Sequence, residues 1–175
     1  CHRIPNFIEK TTQAGVRLVC IGLTNINPDN LLAAKKRQNK ITEYRYMLQK
    51  WRQHGATTYA GYILGFPGDT KESILRDIEI MKRELPLYIL EFFFLTPLPG
   101  SEDYKVLLEK GAWMDSDLNK YDLDHRVSHH PKMSDDEWEE AYRAAWSAYY
   151  TPDHVRSILR RVAANERGRP ETTLS

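Results

Sequence analysis

The sequence predicts an α/β protein: a partial TIM-like (β/α) barrel of three βα units on parallel strands, followed by a C-terminal helical extension. Three observations predict it. Apolar runs of strand length alternate with helical periodicity three times between residues 17 and 110. Glycine- and proline-rich loops leave the last two strands, Gly65-Phe66-Pro67-Gly68 and Thr96-Pro97-Leu98-Pro99-Gly100. The composition then changes at Trp113, and the pattern from Ser134 onward is that of capped helices. Three strands cannot close a barrel, so either the sheet is open or the remaining strands lie upstream.

Taken in order, Phe7, Ile8 and Thr11 fit a short helix ended by Gly15. Residues 17–23 are a compact apolar run, the first strand. The loop 24–30 is rich in hydrogen-bonding side chains, and Asn27 is placed to cap a helix over residues 31–37 with Pro28 in its first turn. Tyr44, Met47, Leu48 and Trp51 form one face of the next helix, closed by Gly55. The second strand spans 57–65. Ile74, Ile78, Met81 and Leu85 then give a helical stripe that Pro86 stops. Residues 88–95 are the third strand, apolar enough to suit cover on both faces, and a short helix follows over 102–110.

These elements divide the chain into a barrel portion, 1–112, an irregular segment lying over the core, 113–133, a helical extension, 134–166, and a disordered tail, 167–175. In the extension, Ser134-Asp135-Asp136-Glu137 reads as a capping box, with Trp138, Tyr142, Ala145, Trp146 and Tyr149 on one stripe. Thr151-Pro152 opens a last helix with Val155, Ile158, Leu159 and Val162 inward.

Composition narrows the function classes. With 41% hydrophobic and 28% charged residues the chain is of the soluble globular type. A net charge of +1 favours no polyanionic partner. The longest apolar stretch, 85–98, is broken by Glu91 and two prolines, so no membrane span is expected. Two cysteines, Cys1 and Cys20, make no disulfide framework, and a cytoplasmic location is the default expectation. Cys20, within a strand, reads as a buried small apolar residue. The chain starts at Cys1 rather than Met, which suggests a fragment of a longer protein.

The stretch Gly61-Tyr62-Ile63-Leu64-Gly65-Phe66-Pro67-Gly68-Asp69-Thr70 organises the rest. Gly61 and Gly65 leave main chain bare at a strand's end, where a flat or charged ligand can meet N–H and C=O groups. Gly68 is expected to take positive φ, and Asp69 to cap the following helix with Glu72 as reciprocal partner. By itself the stretch is equally compatible with a plain βα turn.

Three strand-end loops, in order, resemble the C-terminal half of the radical S-adenosylmethionine (SAM) enzymes, closest to the branch with an upstream cobalamin-binding domain. Residues 61–70 resemble the fifth-strand motif, Ile21-Gly22-Leu23-Thr24-Asn25 the fourth, and Phe94-Leu95-Thr96-Pro97-Leu98-Pro99-Gly100-Ser101 the sixth-strand exit. The resemblance covers roughly Phe7 to Leu159. It implies SAM as cofactor, with Thr24, Asn25, Gly61, Ile63, Gly65, Leu95, Thr96 and Pro97 around its adenosyl part. It also implies a [4Fe-4S] cluster that cleaves SAM to a 5′-deoxyadenosyl radical and, in the cobalamin branch, either methyl transfer to an unactivated carbon or another B12-assisted rearrangement of a small-molecule substrate. Two departures stand out. The cluster motif CxxxCxxC is absent, so the cluster ligands are expected upstream and this segment alone is expected to be inactive. Thr24 stands where many members carry Glu, keeping a hydroxyl but no charge.

The same residues admit other readings. The segment could be a non-catalytic α/β binding module. His125, His129 and His130, with Asp122 and Asp124 nearby, could ligate a metal, or could hydrogen-bond a loop over the core. Lys35, Lys36, Arg37 and Lys40 could meet phosphate or form a solvated helix face, and by the resemblance Lys40 or Arg45 could approach the SAM carboxylate. Glu91, the one charge in the third strand, is a polar site residue if it points into the barrel.

Overall fold

The structure, a computed structural model, describes residues 4–33 and 41–167. Three strands form one parallel sheet in the order of the chain: β1 (Leu18–Thr24), β2 (Thr57–Leu64) and β3 (Ile89–Phe94). Helix α1 (Phe7–Gln13) precedes the sheet. Helices α2 (Pro28–Ala33) and α3 (Ile41–Gln53) connect β1 to β2, α4 (Lys71–Glu84) connects β2 to β3, and α5 (Glu102–Glu109) follows β3. Helices α6 (Asp135–Tyr149) and α7 (Pro152–Arg167) form the extension. The helix expected over 31–37 begins earlier, at Pro28, and residues 34–40 with their basic run lie outside the described residues, as do Cys1 and the expected tail from 168.

The expected helical stripes are buried. Tyr44, Met47, Leu48 and Trp51 of α3 and Ile74, Ile78 and Met81 of α4, with Leu85 just beyond it, reach the core. Of the α6 stripe, Trp138, Ala145 and Tyr149 do so, joined by Ala141, whereas Tyr142 and Trp146 are only half-buried. They meet one face of the sheet, carrying Leu23, Ala60, Tyr62, Leu64, Leu90, Phe92 and Phe94. Aromatic rings dominate this layer: Phe94 stacks on Tyr142 at 4.3 Å between centroids, and Phe92 meets Trp146 edge-on at 5.3 Å. Leu159, expected inward, is 60% exposed; the buried contact of α7 runs through Ile158.

The other face of the sheet is uncovered by any described element. Along β2 the residues alternate strictly between half-buried and buried, so Tyr59, Gly61 and Ile63 point away from the helices. Register places Glu91 beside Gly61 and Phe93 beside Ile63 on the same side. Among the described residues, the third strand is therefore covered on one face, not two. Cys20 pairs with Tyr59 and is exposed on this open face. The expectation that Cys20 is buried fails because strand parity, not apolarity, decides which side a residue takes.

The two outer edges of the sheet differ. On β3, the Tyr150 hydroxyl donates to Leu90 C=O at 2.8 Å and accepts from Leu90 N–H at 3.0 Å, while Phe94 N–H donates to Leu123 C=O at 2.8 Å. The helical extension and the irregular segment thus occupy the edge where a further strand would pair. No described strand pairs with the outer edge of β1. Among the described residues, that is the edge left open to a further strand.

Helix α4 starts one residue later than its sequence suggests. Thr70 is the N-cap, its Oγ1 accepting from Ser73 N–H at 3.2 Å while Thr70 N–H donates to Ser73 Oγ at 2.9 Å. Asp69 and Glu72 do not form the box, because the Asp69 carboxylate is turned inward. Thr70→Ala is expected to cost about 1 kcal/mol, read as a lowered urea midpoint with unchanged slope, and Glu72→Ala far less.

Candidate functional site

The three strand exits meet at the C-terminal edge of the sheet and are tied to one another. The Asn25 amide donates through Nδ2 to Ile63 C=O at 3.2 Å, and Leu95 N–H donates to Leu64 C=O at 2.8 Å. Asn25 is fully buried and accepts at Oδ1 from Asn27 N–H at 2.8 Å and, more loosely, from Asn30 Nδ2 at 3.4 Å. Its amide is therefore committed to protein partners, making it a brace between the first and second exits. Asn27 caps α2 as expected, accepting from Asp29 N–H at 3.0 Å.

At the second exit the Asp69 carboxylate is the centre. Oδ2 accepts from Gly65 N–H at 3.0 Å and Phe66 N–H at 2.9 Å, and Oδ1 accepts from Asn30 Nδ2 at 2.6 Å. Asp69 and Asn30 are each 3% exposed, so this is a buried, charge-assisted bracket around the β2–α4 turn. The turn also closes through Asp69 N–H to Phe66 C=O at 2.8 Å. Positive φ falls on Gly65, at +98°, and not on Gly68. A Cβ at Gly65 would stand 2.2 Å from the Trp138 ring, so glycine is required there by packing against α6. At Gly61 a Cβ would come 2.7 Å from the Phe93 ring, whereas at Gly22 it would meet nothing within 4 Å.

The first exit is strained. Asn25 N–H donates to Leu23 C=O at 2.8 Å across Thr24, the i→i+2 bond of a γ-turn, and Thr24 holds φ at +65°. A β-branched residue there costs on the order of 1–3 kcal/mol and persists only because its surroundings impose it. Among them is Tyr44, whose hydroxyl donates to Gly22 C=O at 2.9 Å; burial pushes this phenol up to about 12, so it remains a donor throughout the neutral range. At the third exit Thr96 Oγ1 donates to Phe94 C=O at 3.1 Å and Pro97 is buried, while Leu95 is half-buried.

The histidines do not converge. His125 pairs with Asp122 on the surface, with Nδ1 at 2.9 Å from Oδ2. His129 stacks on Trp113 and pairs with Asp135. His130 is buried: Nδ1 accepts from Lys132 and Met133 N–H at 3.1 and 3.0 Å, leaving Nε2 to donate to Phe66 C=O at 2.9 Å. Among the described residues no three of His, Cys, Asp or Glu stand together as a metal site. The loop reading is the one this geometry supports: His130 pins the irregular segment over the second exit. Arg45 pairs with Glu84 of α4.

Sequence reasoning missed Asp69 and His130 as braces and Tyr59 as a partner of Glu91. Its phenol donates to the Glu91 carboxylate across the open face. Glu91 lies on the face of the sheet turned away from the helices. No described helix is long and apolar enough to cross a membrane.

No protein-family model matches the chain. Among curated proteins it is similar to bacteriochlorophyllide d C-12(1)-methyltransferase of Chlorobaculum tepidum, 26% identical over 132 residues, covering 74% of this chain and 28% of that protein. It is also similar to bacteriochlorophyllide d C-8(2)-methyltransferase of the same organism, 27% identical over 124 residues, 70% of this chain and 27% of that protein. The chain thus spans little more than a quarter of the length of the relatives it matches.

Proposed function

We infer that this chain is the C-terminal half of a radical SAM methyltransferase barrel and contributes the adenosyl side of its SAM pocket. The observation that carries the reading is the tying of three parallel strand exits at one edge, next to an open sheet face that, among the described residues, has its free edge at β1. That is the arrangement a barrel half needs in order to receive preceding strands and a ligand at its C-terminal mouth. The similarity to two methyltransferases supports the reaction class.

In this reading Gly61, Ile63, Leu95 and Thr96 face the adenosyl group, while Asn25, Asp69 and His130 hold the main chain in place around it and the buried Thr24 shapes the first exit from behind. Gly65 and Pro97 belong to the same exits, but both are buried, so they shape the pocket from behind. The cluster ligands are not in this chain, since CxxxCxxC is absent and Cys20 is its only described cysteine. The chemistry that the bound groups supply is one-electron cleavage of SAM and, with cobalamin, methyl transfer. The chain's own part is to bind, orient and shield.

The full-length polypeptide is expected to bind SAM at micromolar concentration and, after iron–sulfur reconstitution and reduction, to release 5′-deoxyadenosine. A folded full-length protein to which SAM does not bind in calorimetry overturns the reading and favours a non-catalytic module.

A further inference from the structure

Among the described strand residues, the open face of the sheet carries one charged side chain, Glu91. Around it stand Gly61, Ile63 and Phe93, with the exposed Cys20 and Gly22 on β1. Glu91 belongs to the middle of β3, three residues before the exit, and a lone carboxylate among apolar neighbours is unfavourable unless something binds it. Tyr59 binds one oxygen, Oε2, and no described residue donates to the other, Oε1. The phenol also limits the rotamers open to the carboxylate, so the second oxygen is aimed rather than free to swing. Across β2, Gly22 leaves the sheet bare on β1, and Phe93 lies over Gly61 as an aromatic wall.

We propose that the Tyr59–Glu91 pair is the substrate-recognition element of the open face, accepting a hydrogen bond from a hydroxyl, amide or ammonium group on a flat, largely apolar ring substrate of the chlorophyllide class. This rests on the methyltransferase reading, in which the open face is the barrel interior. Glu91 supplies the acceptor, Tyr59 positions it, and Phe93 with the bare strip at Gly22 takes the ring system. A fixed acceptor discriminates strongly, because a substrate lacking the donor would leave Glu91 Oε1 desolvated and without a partner.

The test uses the full-length polypeptide with bacteriochlorophyllide d as probe, its binding followed by fluorescence and SAM binding by calorimetry. Glu91→Gln is expected to weaken probe binding by about tenfold or more, and Tyr59→Phe by about threefold. SAM affinity and melting temperature should stay at wild-type values in both, which a merely structural pair would not allow. Wild-type probe affinity in both variants overturns the proposal. So does a fall in melting temperature in Tyr59→Phe that accounts for all the lost binding. Wild-type protein that binds SAM but not the probe overturns it while sparing the methyltransferase reading; binding of neither overturns both.

Discussion

Alanine at position 65 is expected to destabilise the chain by on the order of 4 kcal/mol, enough to remove a large part of an ordinary domain's stability. Two effects add. The backbone there has φ of +98°, which an L side chain rarely adopts, and the new methyl would stand 2.2 Å from a Trp138 ring carbon. Neither neighbour can give way cheaply. Trp138 is 2% exposed and its ring packs edge-on against Phe94 at 5.4 Å. Urea unfolding followed by tryptophan fluorescence reads the loss. Shortening the ring in Gly65→Ala/Trp138→Leu should recover none of the backbone strain and should cost the packing of α6. A midpoint for Gly65→Ala within about 0.5 kcal/mol of wild type would show that the close approach of α6 to the second exit is not as described.

Removing the Asp69 carboxylate should be nearly as severe. Asp69→Ala leaves Gly65 N–H, Phe66 N–H and Asn30 Nδ2 without their acceptor in a buried site, a loss of roughly 4 kcal/mol. Asp69→Asn is the sharper probe. Its single oxygen can serve the two main-chain donors, but its amide then faces the Asn30 amide, donor against donor. Exchanging the two residues, Asn30→Asp with Asp69→Asn, restores a donor–acceptor pair and should recover part of the loss, although the new carboxylate also faces Asn25 Oδ1. The coupling in this cycle should exceed about 1 kcal/mol. Strict additivity would mean that the two side chains do not meet, and the bracket around the β2–α4 turn would fall.

Both predictions turn on residues whose roles were only half visible in the sequence. Gly65 was legible as a bare point at a strand's end. What it is bare for was not: the indole that needs the space is 73 residues further along, on a helix whose stripe specifies burial but not its partner. Asp69 was legible as a cap, since an aspartate after a turn and before a helical stripe usually is one. The same carboxylate can turn inward when a buried amide and two free N–H groups offer more, and here Asn30 and the second exit do. Thr70 and Ser73 then take over the helix start. The histidines show the same limit. Composition grouped His125, His129 and His130, but backbone geometry sends their rings to Asp122, Trp113 and Phe66 respectively.

What the sequence determined by itself was the alternation of strands and helices, the faces of α3, α4 and α6, and the loops where the strands end. Those are local facts, carried by residue spacing along one element. Which side of the sheet Cys20 and Glu91 occupy, which edge the extension covers, and which donors Asp69 serves were decided only by tertiary structure. A strand's two faces look alike until helices cover one of them, and a buried polar group's partner is whichever chain segment the packing brings within hydrogen-bond reach.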